Sequence, residues 1–187
     1  MNKETRPVTE EEYIEIVQTI RAGFLNHRPN ERVAMALILE ANVGVRISDI
    51  VQLSLNDIVK EGHYYKLNIV EEKTEKARHF VVPNELVQYI KQFCIDHNIK
   101  SNERIIPITE RAIQKHLDFV CDYLGLEDIS THSFRKFFAE NLYRDNDEDI
   151  RLVQEALQHS SIETTQRYLK ISSKQLEKAL LNNLKIV

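Results

Sequence analysis

Six side chains in this sequence suit the handling of a charged phosphate: Arg46, Lys73, His132, Arg135, His159 and Tyr168. His132 and Arg135 stand three apart in the run "THSFRKFFAENLY". A helix there places both on one face, looking out from the first turn beside free backbone N–H groups. Such a helix start suits an anion, phosphate above all. The same pair suits equally a solvated histidine and an arginine paired with a nearby acid. His159 falls in a joint between two helical patterns, where local hydrogen bonds can hold its ring, and Tyr168 follows nine residues later. Taken alone, Tyr168 reads as a core or interface aromatic. Arg46 comes just after Gly44, with Asp49 three residues on, an arrangement for a rigidly held arginine or a plain structural ion pair. Lys73 lies in a charged turn, where a lysine is ordinarily only solvated.

The elements that must position these residues are mostly helical. The chain has 187 residues, 42% of them hydrophobic, with four glycines and four prolines. Few breakers mean few loops, and this length is enough to bury a core. Thr9 caps a helix that begins "EEEYIEIV". Asn30 caps the apolar "ERVAMALILEANV", a core helix that Gly44 is placed to stop. A short helix, "ISDIVQLS", comes next. Residues 56–83 change texture: "HYYKLNIV" and "RHFVVP" are rich in β-branched and aromatic residues, around the charged turn "EEKTEKA". They predict a small antiparallel sheet of two or three strands. Helical patterns return at 84–98, 109–124, 131–145, 148–158, 162–170 and 173–184. The fold class is therefore mainly α with a small antiparallel β-sheet, in one domain spanning 1–187: a core over 9–171 and a tail helix over 172–187.

Composition narrows the function classes without choosing among them. The formal net charge is −4, and no segment is strongly basic. Any basic surface for nucleic acid must be assembled by folding. No apolar run approaches the ~20 residues of a membrane span, and the N-terminus lacks an apolar signal core. These features predict a cytoplasmic protein. Cys94 and Cys121 lie inside helical patterns without metal spacing, which predicts buried free thiols.

Four separated motifs, taken together, resemble the catalytic domain of the tyrosine recombinases, the phage integrase family. "GVRISDIVQLSLNDI" resembles the family's first-arginine box, and "EEKTEKARHFVVP" its β-hairpin with a lysine in the turn. "THSFRKFFAENLY" resembles its HxxR box, and "LQHSSIETTQRYL" its closing box with the tyrosine. The likeness runs from about Asn30 to Leu169 and keeps the order of parts. It implies that Arg46 and Arg135 hold the scissile phosphate and that Tyr168 is the nucleophile. It implies that His132 is the HxxR histidine and His159 the second histidine. Lys73 matches the hairpin lysine, with Lys76 as the competing assignment. Val43, Asp49, Lys136 and Gln158 depart from the residues common in these boxes, and none of the four removes a catalytic group.

The implied activity is site-specific breaking and rejoining of double-stranded DNA through a 3′-phosphotyrosine. Two guanidiniums supply the positive charge, so no metal and no cofactor are expected. A type IB topoisomerase-like enzyme and a catalytically silent DNA-binding regulatory module of the same fold are the alternatives. An unrelated helical interaction domain is the reading that four ordered boxes disfavour most. Family members pair this domain with an N-terminal core-binding domain, for which the ~30 residues before the second helix leave no room. The chain is thus a fragment or naturally short. Assembly as a homo-oligomer, a tetramer on DNA, is expected. The tail helix, with Leu176, Leu180, Leu181 and Leu184 on one side, packs on its own domain or is exchanged with a neighbour.

Overall fold

The computed structural model describes residues 4–70, 75 and 77–169. The chain divides into two compact units, Met1–Phe138 and Ala139–Val187.

The first unit is built around one helix. Helix α1 spans Glu10–Ala22, and Thr9 closes a full capping box with Glu12, as its sequence predicts. Helix α2 spans Glu31–Val43; the Asn30 side chain caps it and Gly44 ends it in the left-handed conformation. Ten of its thirteen residues are buried, because its apolar residues cover most of its circumference. Met35, Leu37 and Leu39 of α2 join Ile16 and Ile20 of α1 in the core. Each such side chain contributes roughly 1.5–3 kcal/mol of burial free energy. Helix α3 is a single turn, Ile47–Ile50, shorter than the expected "ISDIVQLS".

Three strands follow: β1 (Ile58–Glu61), β2 (Tyr64–Val70) and β3 (Ala77–Val82). They form one antiparallel sheet in the order β1-β2-β3. Tyr65, Leu67 and Ile69 alternate along β2, and all three pack on the core with Phe80 and Val82 of β3. The pairing Leu67↔Phe80 sets that register, because a slip by one residue would turn the whole apolar row to water. The turn joining β2 to β3 carries Lys73 and Lys76, and both lie outside the described residues.

Helix α4 spans Asn84–Asp96 and α5 spans Glu110–Leu124. Thr109 caps α5, and Gly125 stops it in the left-handed conformation, as expected. Helix α4 ends before the predicted position 98, because Asn98 has φ 53° and has left the helix. Helix α6, Thr131–Asp145, begins in the first unit and ends in the second.

The second unit continues with α7 (Ile150–Leu157) and α8 (Ile162–Tyr168). Helix α7 starts two residues later than the predicted 148. Asp149 caps it through Arg151 N–H and Leu152 N–H, while Glu148 sits at φ 60°. The predicted tail helix over 173–184 lies outside the described residues. Among the described residues, no helix is long and apolar enough to cross a membrane. Both cysteines are free and buried.

Candidate functional site

In the first unit the chemistry gathers at the turn that ends α2. Gly44 sits at φ 59°, and its N–H donates to the Glu40 carbonyl at 3.1 Å. A Cβ built on Gly44 would lie 2.3 Å from Phe138 Cδ1, so a side chain there meets the Phe138 ring as well as an unfavourable φ. The close approach brings α6 against this turn. Arg135, one turn before Phe138, is 1% exposed, and its Nη1 donates to the Gly44 carbonyl. Two residues on, Arg46 occupies the N-cap of α3 in extended conformation. Its carbonyl accepts from Asp49 N–H and Ile50 N–H, both at 3.0 Å. The two arginines singled out in the sequence therefore meet at one four-residue turn, 91 positions of chain separating Arg135 from Gly44.

Arg135 corrects one expectation. The pair at the start of α6 was expected to face outward together. His132 is exposed, whereas Arg135 is buried beside Phe134, Ser133 and Ala139. The carbonyl left without an intrahelical partner at the end of α2 accounts for the difference, since it offers the guanidinium a buried acceptor. The N–H groups at the helix start are also less available than expected. Thr131 N–H donates to Gln114 Oε1 at 3.0 Å, and Ser133 N–H donates to the Ser130 carbonyl at 2.9 Å. Lys136, next in sequence, donates to the Thr5 carbonyl and is 9% exposed.

Two acids complete this region. Asp49 is 4% exposed, matching the expectation of a held carboxylate near Arg46. Glu40 is 1% exposed, and the sequence reading passed over it. Burial pushes its carboxyl well above the usual carboxylate range, while the Arg135 charge and a hydrogen bond from the Ile47 backbone N–H work against that rise. Its only sequence signal is a lone acid inside the otherwise apolar "AMALILEANV".

In the second unit His159 and Tyr168 come together. Gln158 ends α7 in the left-handed conformation, and His159 N–H donates to the Gln154 carbonyl at 3.0 Å. Gln154 Nε2 returns a bond to the His159 carbonyl at 3.2 Å, so the joint is fixed from both sides. His159 Nδ1 lies 3.0 Å from Thr165 Oγ1, and Thr165 is fully buried. The Tyr168 ring meets the imidazole edge to face, centroids 5.3 Å apart at 74°. Ser161 caps α8 through Thr164 N–H, which sets the helix start that places Thr165 and Tyr168 one turn apart. Thr165 was not singled out in the sequence, although the "TT" of the closing box holds it.

Residues 6–175 match the phage integrase family. The chain belongs to the phage integrase family. A probable integrase/recombinase, YoeC of Bacillus subtilis, is 32% identical over 165 residues, covering 84% of this chain and 87% of that protein. The tyrosine recombinase XerC of Staphylococcus carnosus is 30% identical, covering 92% of this chain. Against that relative the chain spans 60% of the length. Among solved structures, the catalytic domain of bacteriophage HP1 integrase aligns with a TM-score of 0.68 at 20% identity, over 96% of each chain. A post-cleavage complex of the site-specific recombinase XerH with its palindromic difH substrate aligns at 0.72 and 24% identity, over 96% of this chain and 53% of that one. At these identities the structures speak for the fold. The mainly helical fold with a small antiparallel sheet is that of a tyrosine recombinase catalytic domain. The chain is a recombinase-type domain of this family, and neither the topoisomerase-like nor the silent-module alternative is favoured.

Proposed function

We propose that this domain breaks and rejoins double-stranded DNA at specific sites through a covalent 3′-phosphotyrosine. What supports this most directly is the turn at Gly44, where Arg135 docks beside Arg46. Two planar guanidiniums suit the non-bridging oxygens of a phosphodiester and the extra charge of its pentavalent transition state. The Tyr168 oxygen attacks phosphorus, the P–O5′ bond breaks, and the phenolic proton passes to His132 as general base. The phenol loses that proton with difficulty unaided, its ordinary pKa being about 10. Lys73, or Lys76 in its place, supplies the proton that the departing 5′-oxygen takes up. His159 hydrogen-bonds the phosphate. Rejoining is the reverse: a 5′-hydroxyl attacks the phosphotyrosine and Tyr168 is released with its proton. The arginines supply the charge that a metal would otherwise bring, and no cofactor enters the reaction.

The partner is then duplex DNA and the working form a homo-oligomer, a tetramer on DNA with exchange of the 172–187 tail. The 9–171 core works as one catalytic domain, in the cytoplasm. The test is a nicked suicide duplex that traps the covalent intermediate, drawn from a panel of candidate attachment sequences. A covalent protein–DNA band on a denaturing gel is expected from the wild type. Tyr168→Phe is expected to lose the band and keep DNA binding; a band that survives in Tyr168→Phe removes the nucleophile assignment.

A further inference from the structure

Glu40 is the buried ionisable group that the reaction above leaves without a role. It lies on the last turn of α2, is 1% exposed, and sits in a helix whose other buried residues are all apolar. An acid in that position is costly unless something charged or hydrogen-bonding compensates it. Two groups do so. The Ile47 backbone N–H donates to the carboxyl, and the guanidinium of Arg135 interacts with it by charge. The geometry agrees. Arg135 docks on the Gly44 carbonyl, and Gly44 N–H in turn closes onto the Glu40 carbonyl, so the arginine head stands at the turn that carries Glu40. Ile47 is the first residue of α3, directly after its N-cap Arg46. Glu40 thus touches both halves of the arginine pair: the charged head of one and the backbone that presents the other.

We propose that Glu40 is a positioning residue, whose carboxyl group fixes the Arg135 guanidinium and the start of α3 in the arrangement that grips a phosphate. The proposal rests on the phosphate-gripping role of Arg46 and Arg135. A guanidinium is planar and directional, so its usefulness toward a phosphate depends on its angle. A single hydrogen bond to the Gly44 carbonyl leaves rotation about that bond open. A second contact, from the side opposite the substrate, closes it. The benefit is rate and not stability, since a buried acid replaced by an apolar group of similar volume leaves a fold as stable or more so.

Two variants test this, Glu40→Gln and Glu40→Met. Three quantities are measured: the melting temperature, the hydrogen-exchange rate of the Arg135 guanidinium by NMR in the DNA-free protein, and the rate of covalent complex formation on the suicide duplex. Arg135→Lys assigns the guanidinium signal. The expected result for both variants is an unchanged or raised melting temperature, guanidinium exchange at least several-fold faster, and covalent complex formation slowed about 10- to 100-fold. DNA affinity is expected to stay within about two-fold of wild type, because the arginine charge is still present. Unchanged guanidinium exchange overturns the proposal, as does an unchanged cleavage rate. A rate that falls only in step with a falling melting temperature overturns it too, since that is what a purely structural residue does. A wild type that gives no Tyr168-dependent band refutes the recombinase reading of these residues instead, and the guanidinium exchange then still decides whether Glu40 holds Arg135.

Discussion

Arg135 and Gly44 form the tightest functional coupling in the molecule. Lysine at 135 keeps the charge but loses the fork, so it cannot hold the Gly44 carbonyl and a phosphate oxygen together. Arg135→Lys is expected to keep the fold and slow covalent complex formation by about 10²- to 10³-fold, the scale of one lost transition-state donor. A loss under about five-fold in single-turnover assays would remove Arg135 from the clamp. Gly44 has no tolerance in either direction: its φ of 59° disfavours a side chain, and the Phe138 ring occupies the space. Gly44→Ala is expected to destabilise the first unit by about 2–4 kcal/mol, read from urea unfolding. The identity of these residues was legible in the sequence, because Gly44, Arg46, His132 and Arg135 fall in boxes of fixed spacing. Their environment was not. The spacing of three between His132 and Arg135 describes a helix face, but the depth of a side chain depends on what packs on it, and here that is a turn from a distant part of the chain. Glu40 was invisible for the same reason, since an acid among leucines announces burial without naming its partner.

At the scale of elements, stop signals decided which predictions held. Thr9, Asn30 and Thr109 cap helices, and Gly44 and Gly125 end them, where the sequence places those residues. Each is a residue type with one strong local preference. The ends that shifted lie at residues without such a preference: Asn98 and Glu148 adopt positive φ, and the helices retreat from them. Gln158 is the instructive case. It occupies the left-handed stop of α7 at φ 52°, a position that favours glycine, and the adjoining His159 is the residue that the stop presents. The glutamine holds that conformation against a steric preference of about 1 kcal/mol or more. Gln158→Gly is therefore expected to raise the stability of the second unit by about 0.5–1 kcal/mol, seen as slower local hydrogen exchange in α7. The cleavage rate is expected to stay within about three-fold, since the backbone at His159 is unchanged. Faster exchange in α7 would mean that the glutamine side chain contributes more than its backbone strain takes away.

For the molecule as a whole, charge sets how this domain can hold DNA. It carries 25 lysines and arginines against 29 aspartates and glutamates. A surface of that balance repels a polyanion at long range, so attraction must come from a few cations held close to the phosphates. Arg135 is buried and Arg46 half-buried, which suits them to one phosphate and not to a broad track along the backbone. The affinity for DNA should then respond weakly to salt. Each phosphate neutralised adds about 0.9 to the slope of log K against log salt. A slope of about −2 to −4 is expected for a duplex titrated between 50 and 200 mM salt, which corresponds to roughly two to four phosphate contacts. Arg46→Gln is expected to reduce the slope by about 1, because it removes one contact without altering the rest. A slope steeper than about −6 would reveal a folded basic surface that the overall composition conceals. In that case the domain would find DNA largely by charge, and the arginine pair would serve catalysis alone. A shallow slope that loses one unit with Arg46 places recognition and chemistry on the same few side chains.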